Sequence, residues 1–258
     1  MSRDELPPFE QISCSVCLGG AGLDFAFTMA FQPIVHAGSR TIVAQEALVR
    51  GLDGEGAGFI LGQVTPANIY RFDQACRVKA IELAARHELQ CQLNINFLPH
   101  AVYRPESCIR TSLEAARTFG FPADRLCFEI VESEHIADHA HIVGIIQEYR
   151  RQGLTTAIDD FGAGYAGLGL LAEFQPDLLK LDIALIRDID SDPRRAIIVR
   201  SILDAARQLE IGVIAEGVES RDEYLCLRDM GVEPFQGYYF ARPTFESFAP
   251  EPDRALYD

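Results

Sequence analysis

The chain has 258 residues, and 48% of them are hydrophobic, which is enough apolar material for one large domain with a substantial core. Its net charge is −15 and its lysines and arginines form no basic cluster, so the sequence predicts a protein that does not bind DNA. No apolar run approaches the roughly 20 residues of a membrane-spanning helix, and the acidic N-terminus lacks the features of a secretory leader. We therefore expect a cytoplasmic protein that does not enter the membrane.

Seven cysteines are scattered along the chain, and their odd number indicates a reducing compartment and not a disulfide framework. Cys14 and Cys17 form a C-x-x-C pair in an N-terminal extension, residues 1–24. A structural zinc site needs four ligands and no second pair is visible, so two free thiols are the simpler interpretation. A redox or metal-linked role is the alternative. We expect one domain over residues 25–250, followed by a C-terminal tail, residues 251–258.

Apolar, strand-like segments alternate with segments of helical spacing along the chain. The predicted strands are residues 27–35, 41–50, 91–98, 125–132, 154–160, 178–182, 212–219 and 235–240. The predicted helices are residues 70–89, 112–120, 141–153 and 194–210. This alternation predicts an α/β fold, a (β/α)8 or TIM barrel. Only HAGSR separates the first two strands, which is too short for a parallel crossover, so we expect a modified barrel whose first strand is antiparallel to the rest.

Most of the predicted strands carry a polar residue near the C-terminal end, where barrel enzymes build their active sites. These residues are Glu46, Asn96, Glu129, Glu132, Asp159, Asp160, Lys180, Asp182, Glu216 and Glu219. Any one of them alone is typical of a solvated strand end, but consecutive strands that converge on one rim with such residues indicate a site. We expect Glu46 and Lys180 to face solvent at this rim.

The adjacent acids Asp159 and Asp160 need a positive charge nearby, because neighbouring carboxylates otherwise raise each other's pKa. A lysine, exposure to solvent or a metal ion would satisfy this need. A ring of carboxylates without histidine or cysteine favours Mg²⁺ or Mn²⁺ over zinc. The acids outnumber the ligands of one ion, so we predict two ions bridged by a carboxylate.

Two other clusters have simpler interpretations. His135, His139 and His141 include an H-x-x-x-H spacing, but we interpret this segment as a solvated helix start, since nothing else converges there. The rings of Tyr238, Tyr239 and Phe240 are predicted to belong to the barrel core, although one of them could stack on a bound ligand.

Six motifs resemble, in order and spacing, those of the EAL-domain cyclic di-GMP phosphodiesterases. They are QEALVRG, FEIVES, DDFGAGYAGL, LLKLD, AEGVE and FQGYYFARP. The resemblance extends from about residue 25 to 248, and the loop GAGYAGL lacks the hydroxyl residues usual in this family. It implies a barrel with a reversed first strand. It also implies hydrolysis of one phosphodiester of cyclic di-GMP to linear 5′-pGpG by metal-activated water.

The resemblance also implies roles for individual residues. The implied metal ligands are Glu46, Asn96, Glu129, Asp159, Asp160 and Glu216, with Asp159 as the bridge; Pro99 aligns the segment so that Asn96, and not Asn94, takes the ligand position. Lys180 resembles the lysine that holds the attacking water, and Glu216 is discussed in the family as a general base; with Glu46 these form the implied catalytic set. The implied substrate-binding residues are Gln32, Arg50, Asp182, Glu219 and Gln236. Glu132 resembles the acid that anchors the loop after the fifth strand.

Two functional classes stay open at this point. The first is an active phosphodiesterase that binds cyclic di-GMP and forms a homodimer. The second is a receptor or interaction module that holds the nucleotide without cleaving it. Receptors in this family tend to lose metal ligands or the lysine, and this sequence retains them all, which favours the enzyme. The sequence does not predict a sensory or signalling partner.

Overall fold

The computed structural model describes residues 23–102, 104–131, 139–163, 171–172 and 175–258. Its strands are β1 Thr28–His36, β2 Thr41–Arg50, β3 Gln92–Asn96, β4 Leu126–Val131, β5 Thr155–Phe161, β6 Leu178–Leu181, β7 Gly212–Ala215, β8 Pro234–Phe235 and β9 Thr244–Phe245. Its helices are α1 Ala57–Leu61, α2 Ile69–Arg86, α3 Pro105–Phe119, α4 His139–Arg151, α5 Ile183–Ile186, α6 Pro193–Gln208 and α7 Arg221–Asp229. Among these helices, none has the length and apolar character needed to span a bilayer.

Strands β1 to β8 close into a barrel, as the sequence predicted. β1 and β2 form an antiparallel hairpin that places Gln32 opposite Glu46. From β2 to β8 each strand runs parallel to the next, and β8 then pairs antiparallel with β1. The reversed first strand is therefore confirmed. Because β2 to β7 run in the same direction, their C-terminal ends meet at one rim.

The last two parallel strands are shorter than the sequence predicted. β7 ends at Ala215, and β8 ends at Phe235, after which the chain turns. A Cβ atom on Gly237 would lie 2.0 Å from the Val218 carbonyl oxygen, so only glycine fits where these two connections cross. The prediction of strands over 212–219 and 235–240 was wrong after Ala215 and after Phe235, because the two connections bond to each other and not to further strand positions. For example, the Val218 N–H donates to the Gln236 carbonyl.

Helices α3 and α7 also differ from the prediction. α3 begins at Pro105, whose ring is compatible with a first helical turn, and not at residue 112. α7 was not predicted, although Ser220 and Glu223 form a capping box in which each side chain accepts from the other's backbone N–H. This S-x-x-E pattern was the missed signal.

The main apolar core lies between the barrel strands and the surrounding helices. A separate small cluster, Ile34, Ala44 and Ile214, lies within the barrel. Ile34 and Ala44 share a strand face with Gln32 and Glu46, since side chains two residues apart point to the same side. The barrel interior is therefore polar towards the C-terminal rim and apolar towards the opposite end, where β2 to β7 begin.

Candidate metal centre

A cavity of about 440 Å³ opens at the C-terminal rim of the barrel. The predicted site residues that line it are Gln32, Glu46, Asn96, Asp159, Asp160, Asp182, Glu216, Glu219 and Gln236. Glu129 and Lys180 have no exposed surface. The lining residues come from seven strands or the connections that follow them, and the strand-end pattern predicted this convergence.

Lys180 occupies the middle of a group of four carboxylates. Its Nζ atom lies 2.6 Å from Glu216 Oε1, 2.8 Å from Glu129 Oε2, 2.9 Å from Asp159 Oδ1 and 3.2 Å from Glu46 Oε2. Burial lowers the pKa of Lys180, but the four carboxylates together raise it well above its usual value, so the ammonium stays charged. The expectation of a solvent-facing rim position was wrong, because the side chain is enclosed by the acids that it neutralises.

The adjacent acids Asp159 and Asp160 both line the cavity, which a regular strand would prevent, since neighbouring side chains point to opposite faces. The β5–β6 pairing is irregular between Ile158 and Phe161. Asp160 also has a positive φ of 54°, a left-handed conformation that aspartate tolerates better than most residues. Together the irregular pairing and the left-handed residue allow both carboxylates to reach the same cavity.

Three amide side chains orient the acids on β2 and β4. Asn96 Nδ2 donates to Glu46 Oε1 at 2.8 Å, and Gln236 Nε2 donates to Glu46 Oε2 at 2.8 Å. Asn94 Nδ2 donates to Glu129 Oε1 at 2.7 Å. The sequence interpretation gave Asn94 no role, although its position two residues before Asn96 on the same strand face was a usable signal. With Nδ2 committed to Glu46, the Asn96 carbonyl oxygen is left to serve as a ligand.

The acids of the centre differ in their affinity for protons. Burial raises the pKa of Glu129 to about 8, although the Lys180 ammonium opposes the shift. Burial and the Asp159 charge raise the pKa of Asp160 to about 6. The same two causes raise the pKa of Glu216 well above its usual value. Burial also pushes the pKa of Asp159 upward, but Lys180 and nearby hydrogen bonds hold it below its usual value. One lysine does not neutralise this many carboxylates, so some of these carboxylates bind protons when no metal ion is bound.

The carboxylates suit divalent cations in number and position. Glu46, Glu129 and Asp159 form one group of oxygens that lie within 4.8 Å of one another, and Asp159, Asp160 and Glu216 form a second. Asp159 belongs to both groups. Its Oδ1 atom is buried and lies 2.9 Å from the Lys180 ammonium, in an ion pair that lacks the geometry of a hydrogen bond. A carboxylate shared by two acid groups is well placed to bind cations, and oxygen donors of this kind suit Mg²⁺ or Mn²⁺.

The predicted substrate-binding residues surround this centre. Gln32 Nε2 donates to the Ala241 carbonyl at 3.2 Å. Asp182 caps α5, since its side chain accepts from the Ala184 N–H. Glu219 lies 2.7 Å from Arg187 Nη1 in an ion pair. These partners hold the three side chains at the mouth of the cavity.

Arg50 lies in a neighbouring cavity of about 590 Å³, which Tyr238 and Arg242 also line. Tyr238 lines both cavities and is 48% exposed. The prediction that its ring belongs to the barrel core was therefore wrong, because the chain turns outward after β8; Phe240 is buried as expected. The Arg242 guanidinium carbon lies 4.1 Å from the Tyr238 ring centroid. An arginine on an exposed ring forms a flat, positively charged wall beside the metal centre.

Several predicted features lie outside the described residues. These are the loop anchor Glu132, the C-x-x-C pair Cys14 and Cys17, His135, and residues 164–170 of the loop after β5. The same applies to the side chain of His139. Their proposed roles stay predictions.

Residues 24–243 match the family model of the EAL domain. The chain belongs to the EAL domain family. A standalone versatile EAL protein from Vibrio cholerae O395, in its cyclic di-GMP-bound crystal form, has 50% sequence identity and a TM-score of 0.88. The similarity covers 92% of this chain and 100% of that protein.

Two curated relatives from Escherichia coli K12 differ from each other in their described function. The blue light- and temperature-regulated antirepressor BluF is 33% identical over 214 residues, which cover 83% of this chain and 53% of BluF. The probable cyclic di-GMP phosphodiesterase PdeI is 35% identical over 228 residues, which cover 83% of this chain and 28% of PdeI. The chain therefore spans about half the length of one relative and under a third of the other, and the family includes both enzymes and regulators.

Proposed function

We propose that this EAL domain hydrolyses one phosphodiester of cyclic di-GMP to linear 5′-pGpG with the help of two Mg²⁺ or Mn²⁺ ions. The observation that carries the proposal is the pair of carboxylate groups that share Asp159 at the rim cavity. A chain that only bound the nucleotide would have no need for this many acids around one lysine. The relatives' ligand and activity, cyclic di-GMP and its hydrolysis, support the choice of substrate.

The proposed ligands follow from the two groups. Glu46, Glu129, Asp159 and the Asn96 carbonyl oxygen would hold one ion, and Asp159, Asp160 and Glu216 would hold the other. When bound, such ions stabilise the negative charge that develops on the phosphate and lower the pKa of an attacking water.

The chain's own residues supply proton transfer and alignment. Glu216 lines the cavity and lies 2.6 Å from Lys180 Nζ, so its carboxylate is placed to accept a proton from a water held there. The water oxygen bonds to phosphorus, the bond from phosphorus to the 3′ oxygen breaks, and the leaving oxygen takes up one proton. Lys180 lies within 3.2 Å of all four surrounding carboxylates, which supports its proposed role of holding the water among them.

Arginines provide the positive charge that an anionic substrate needs on a chain of net charge −15. Among the described residues, neither Arg50 nor Arg242 has a carboxylate partner, so both guanidinium groups are available to phosphate. Arginine offers a planar fork that matches phosphate oxygens. We propose that the second phosphate of cyclic di-GMP lies on the side of the centre where Arg50 is found.

The direct test uses purified protein, cyclic di-GMP and Mg²⁺ or Mn²⁺, with the products separated by chromatography. We expect linear 5′-pGpG, and no product in excess chelator. Ca²⁺ should inhibit, because it prefers longer bonds and more ligands than these ions. Full turnover in chelator would contradict the two-ion mechanism.

A second candidate is a regulator that binds cyclic di-GMP without cleaving it, and the relative described as an antirepressor favours it. Binding of cyclic di-GMP with no product after long incubation in Mn²⁺ would select this alternative. A homodimer is also proposed, and sedimentation of the purified protein tests it. Each of the five described cysteines is a free thiol, which supports the proposed cytoplasmic location.

A further inference from the structure

A buried ion pair lies behind the barrel wall, outside the metal centre. Asp73 and Arg77 are one helical turn apart on α2 and are 2% and 0% exposed. Asp73 Oδ2 lies 2.6 Å from Arg77 Nη2, and Arg77 Nη1 donates to the Tyr149 hydroxyl of α4 at 2.8 Å. Apolar residues of similar size often stabilise a fold as well as a buried ion pair does. Stability alone therefore does not explain these three polar groups.

The cation and the tyrosine pack against the same two phenylalanines. The Arg77 guanidinium carbon lies 5.1 Å from the Phe97 ring centroid and 5.5 Å from that of Phe128. The Tyr149 ring centroid lies 5.5 Å from Phe97 and 5.0 Å from Phe128. Both phenylalanines are buried between the sheet and the helices. The hydrogen bond between Arg77 and Tyr149 therefore joins α2 and α4 over one pair of rings.

These rings are direct sequence neighbours of two metal-centre residues. Phe97 follows Asn96, and Phe128 precedes Glu129. Successive side chains of a strand point to opposite faces, so each phenylalanine lies outside the barrel and its neighbour lies inside. The Phe97 N–H also donates to the Glu129 carbonyl at 3.1 Å, which ties the two strand ends together. A shift of either ring would move the polar side chain on the other face.

Asp73 makes a second contact at the same place. Its Oδ1 atom accepts the Leu98 backbone N–H at 2.9 Å. Leu98 lies two residues beyond Asn96, where β3 has ended and the N–H has no strand partner. The carboxylate of α2 thus fixes the backbone just after the last residue of β3.

We propose that Asp73, Arg77 and Tyr149 are positioning residues that hold Asn96 and Glu129 in place from behind the barrel wall. The inference rests on the metal-dependent function proposed above. It means that the metal affinity of the centre depends on an ion pair that supplies no ligand.

Tyr149→Phe is the sharpest test, because it keeps the ring on both phenylalanines and removes only the hydroxyl that accepts from Arg77. Tyr224→Phe is the matched control. Tyr224, on α7, is also 0% exposed, and its hydroxyl donates to the Tyr257 carbonyl at 3.2 Å. The measurements are the Mn²⁺ dissociation constant, from the paramagnetic resonance signal of free ion, and the unfolding midpoint in chelator.

We expect Tyr149→Phe to raise the Mn²⁺ dissociation constant on the order of tenfold, as loss of outer-shell support does, while the control changes it by less than about twofold. The unfolding midpoints of the two variants should be similar. Arg77→Met completes a double-mutant cycle. If Tyr149 acts through Arg77, the double variant should have the same Mn²⁺ dissociation constant as the single variant Arg77→Met.

The outcomes separate this inference from the proposed function. A wild-type dissociation constant for Tyr149→Phe, or equal weakening by the control, would overturn the positioning role. Weakened binding by Tyr149→Phe alone would support it, even if the wild type binds Mn²⁺ and cleaves no cyclic di-GMP. Absence of Mn²⁺ binding by the wild type would overturn both.

Discussion

The substitution Lys180→Met removes the ammonium between four carboxylates and keeps a side chain of similar length. The metal-free protein would then hold these acids, which lie 2.6 to 3.2 Å from the lost Nζ atom, without their counter-charge. Removing one partner of a buried ion pair lowers the free energy of unfolding by about 3–5 kcal/mol. Since about 1 kcal/mol corresponds to roughly 2–4 °C in a protein of this size, the unfolding midpoint in chelator should fall by about 6–20 °C.

Divalent cations should reverse much of this loss, because they would neutralise the same carboxylates. The assay is thermal unfolding at pH 8, in chelator and then in excess Mg²⁺ or Mn²⁺. Lys79→Met is the control, since Lys79 pairs with Glu82 at 2.8 Å but is 36% exposed, and a surface pair contributes about 1 kcal/mol or less. If both variants unfolded at the same temperature in chelator, the assignment of Lys180 as the counter-charge would be refuted.

Three further predictions concern protons, charge and shape. In chelator, the thermal unfolding midpoint should decrease as the pH rises from about 5 to about 8. The raised pKa values, about 6 for Asp160 and about 8 for Glu129, mean that the folded state binds more protons than the unfolded state in this range. Saturating Mg²⁺ should remove this slope, and a midpoint that rises with pH would contradict these pKa values. Glu46→Gln keeps the shape of the side chain but loses its charge, so the Mn²⁺ dissociation constant should rise at least about tenfold and hydrolysis of cyclic di-GMP should cease. The exposed Glu114→Gln is its control, and normal turnover by Glu46→Gln would exclude Glu46 as a ligand. Gly237→Ala places a Cβ atom 2.0 Å from the Val218 carbonyl oxygen and should cost about 1–3 kcal/mol in denaturant unfolding, whereas Gly56→Ala has open space. Equal stability of the two glycine variants would show that the connections after β7 and β8 can move apart without loss of stability, and it would contradict this prediction.

The sequence by itself determined the barrel, its reversed first strand and most of the residues that the structure brings together at the candidate metal centre. The five residues HAGSR between the first two predicted strands exclude a crossover, which is a local property of chain length. The acids could be grouped because the C-terminal ends of the parallel strands meet at one rim, whatever the details of packing. Glu46, Asp159 and Glu216 were grouped in this way, and they line one cavity in the structure. The family motifs added what position alone does not specify, such as the choice between the two asparagines of β3.

Only the tertiary structure decided how deeply the site residues are buried, which way their side chains point and which residues pack behind them. The strand pattern assigns Lys180 to the rim end of β6, but its enclosure depends on the reach of acids from four other segments. That Asp159 and Asp160 share a cavity depends on an irregular strand pairing and one left-handed residue, which alternation along a strand cannot predict. Asp73 and Tyr149 lie 76 residues apart in sequence, yet both contact Arg77. Spacing along a chain specifies the face and the end of a strand, whereas distances between side chains remote in sequence follow from the packing of the whole barrel.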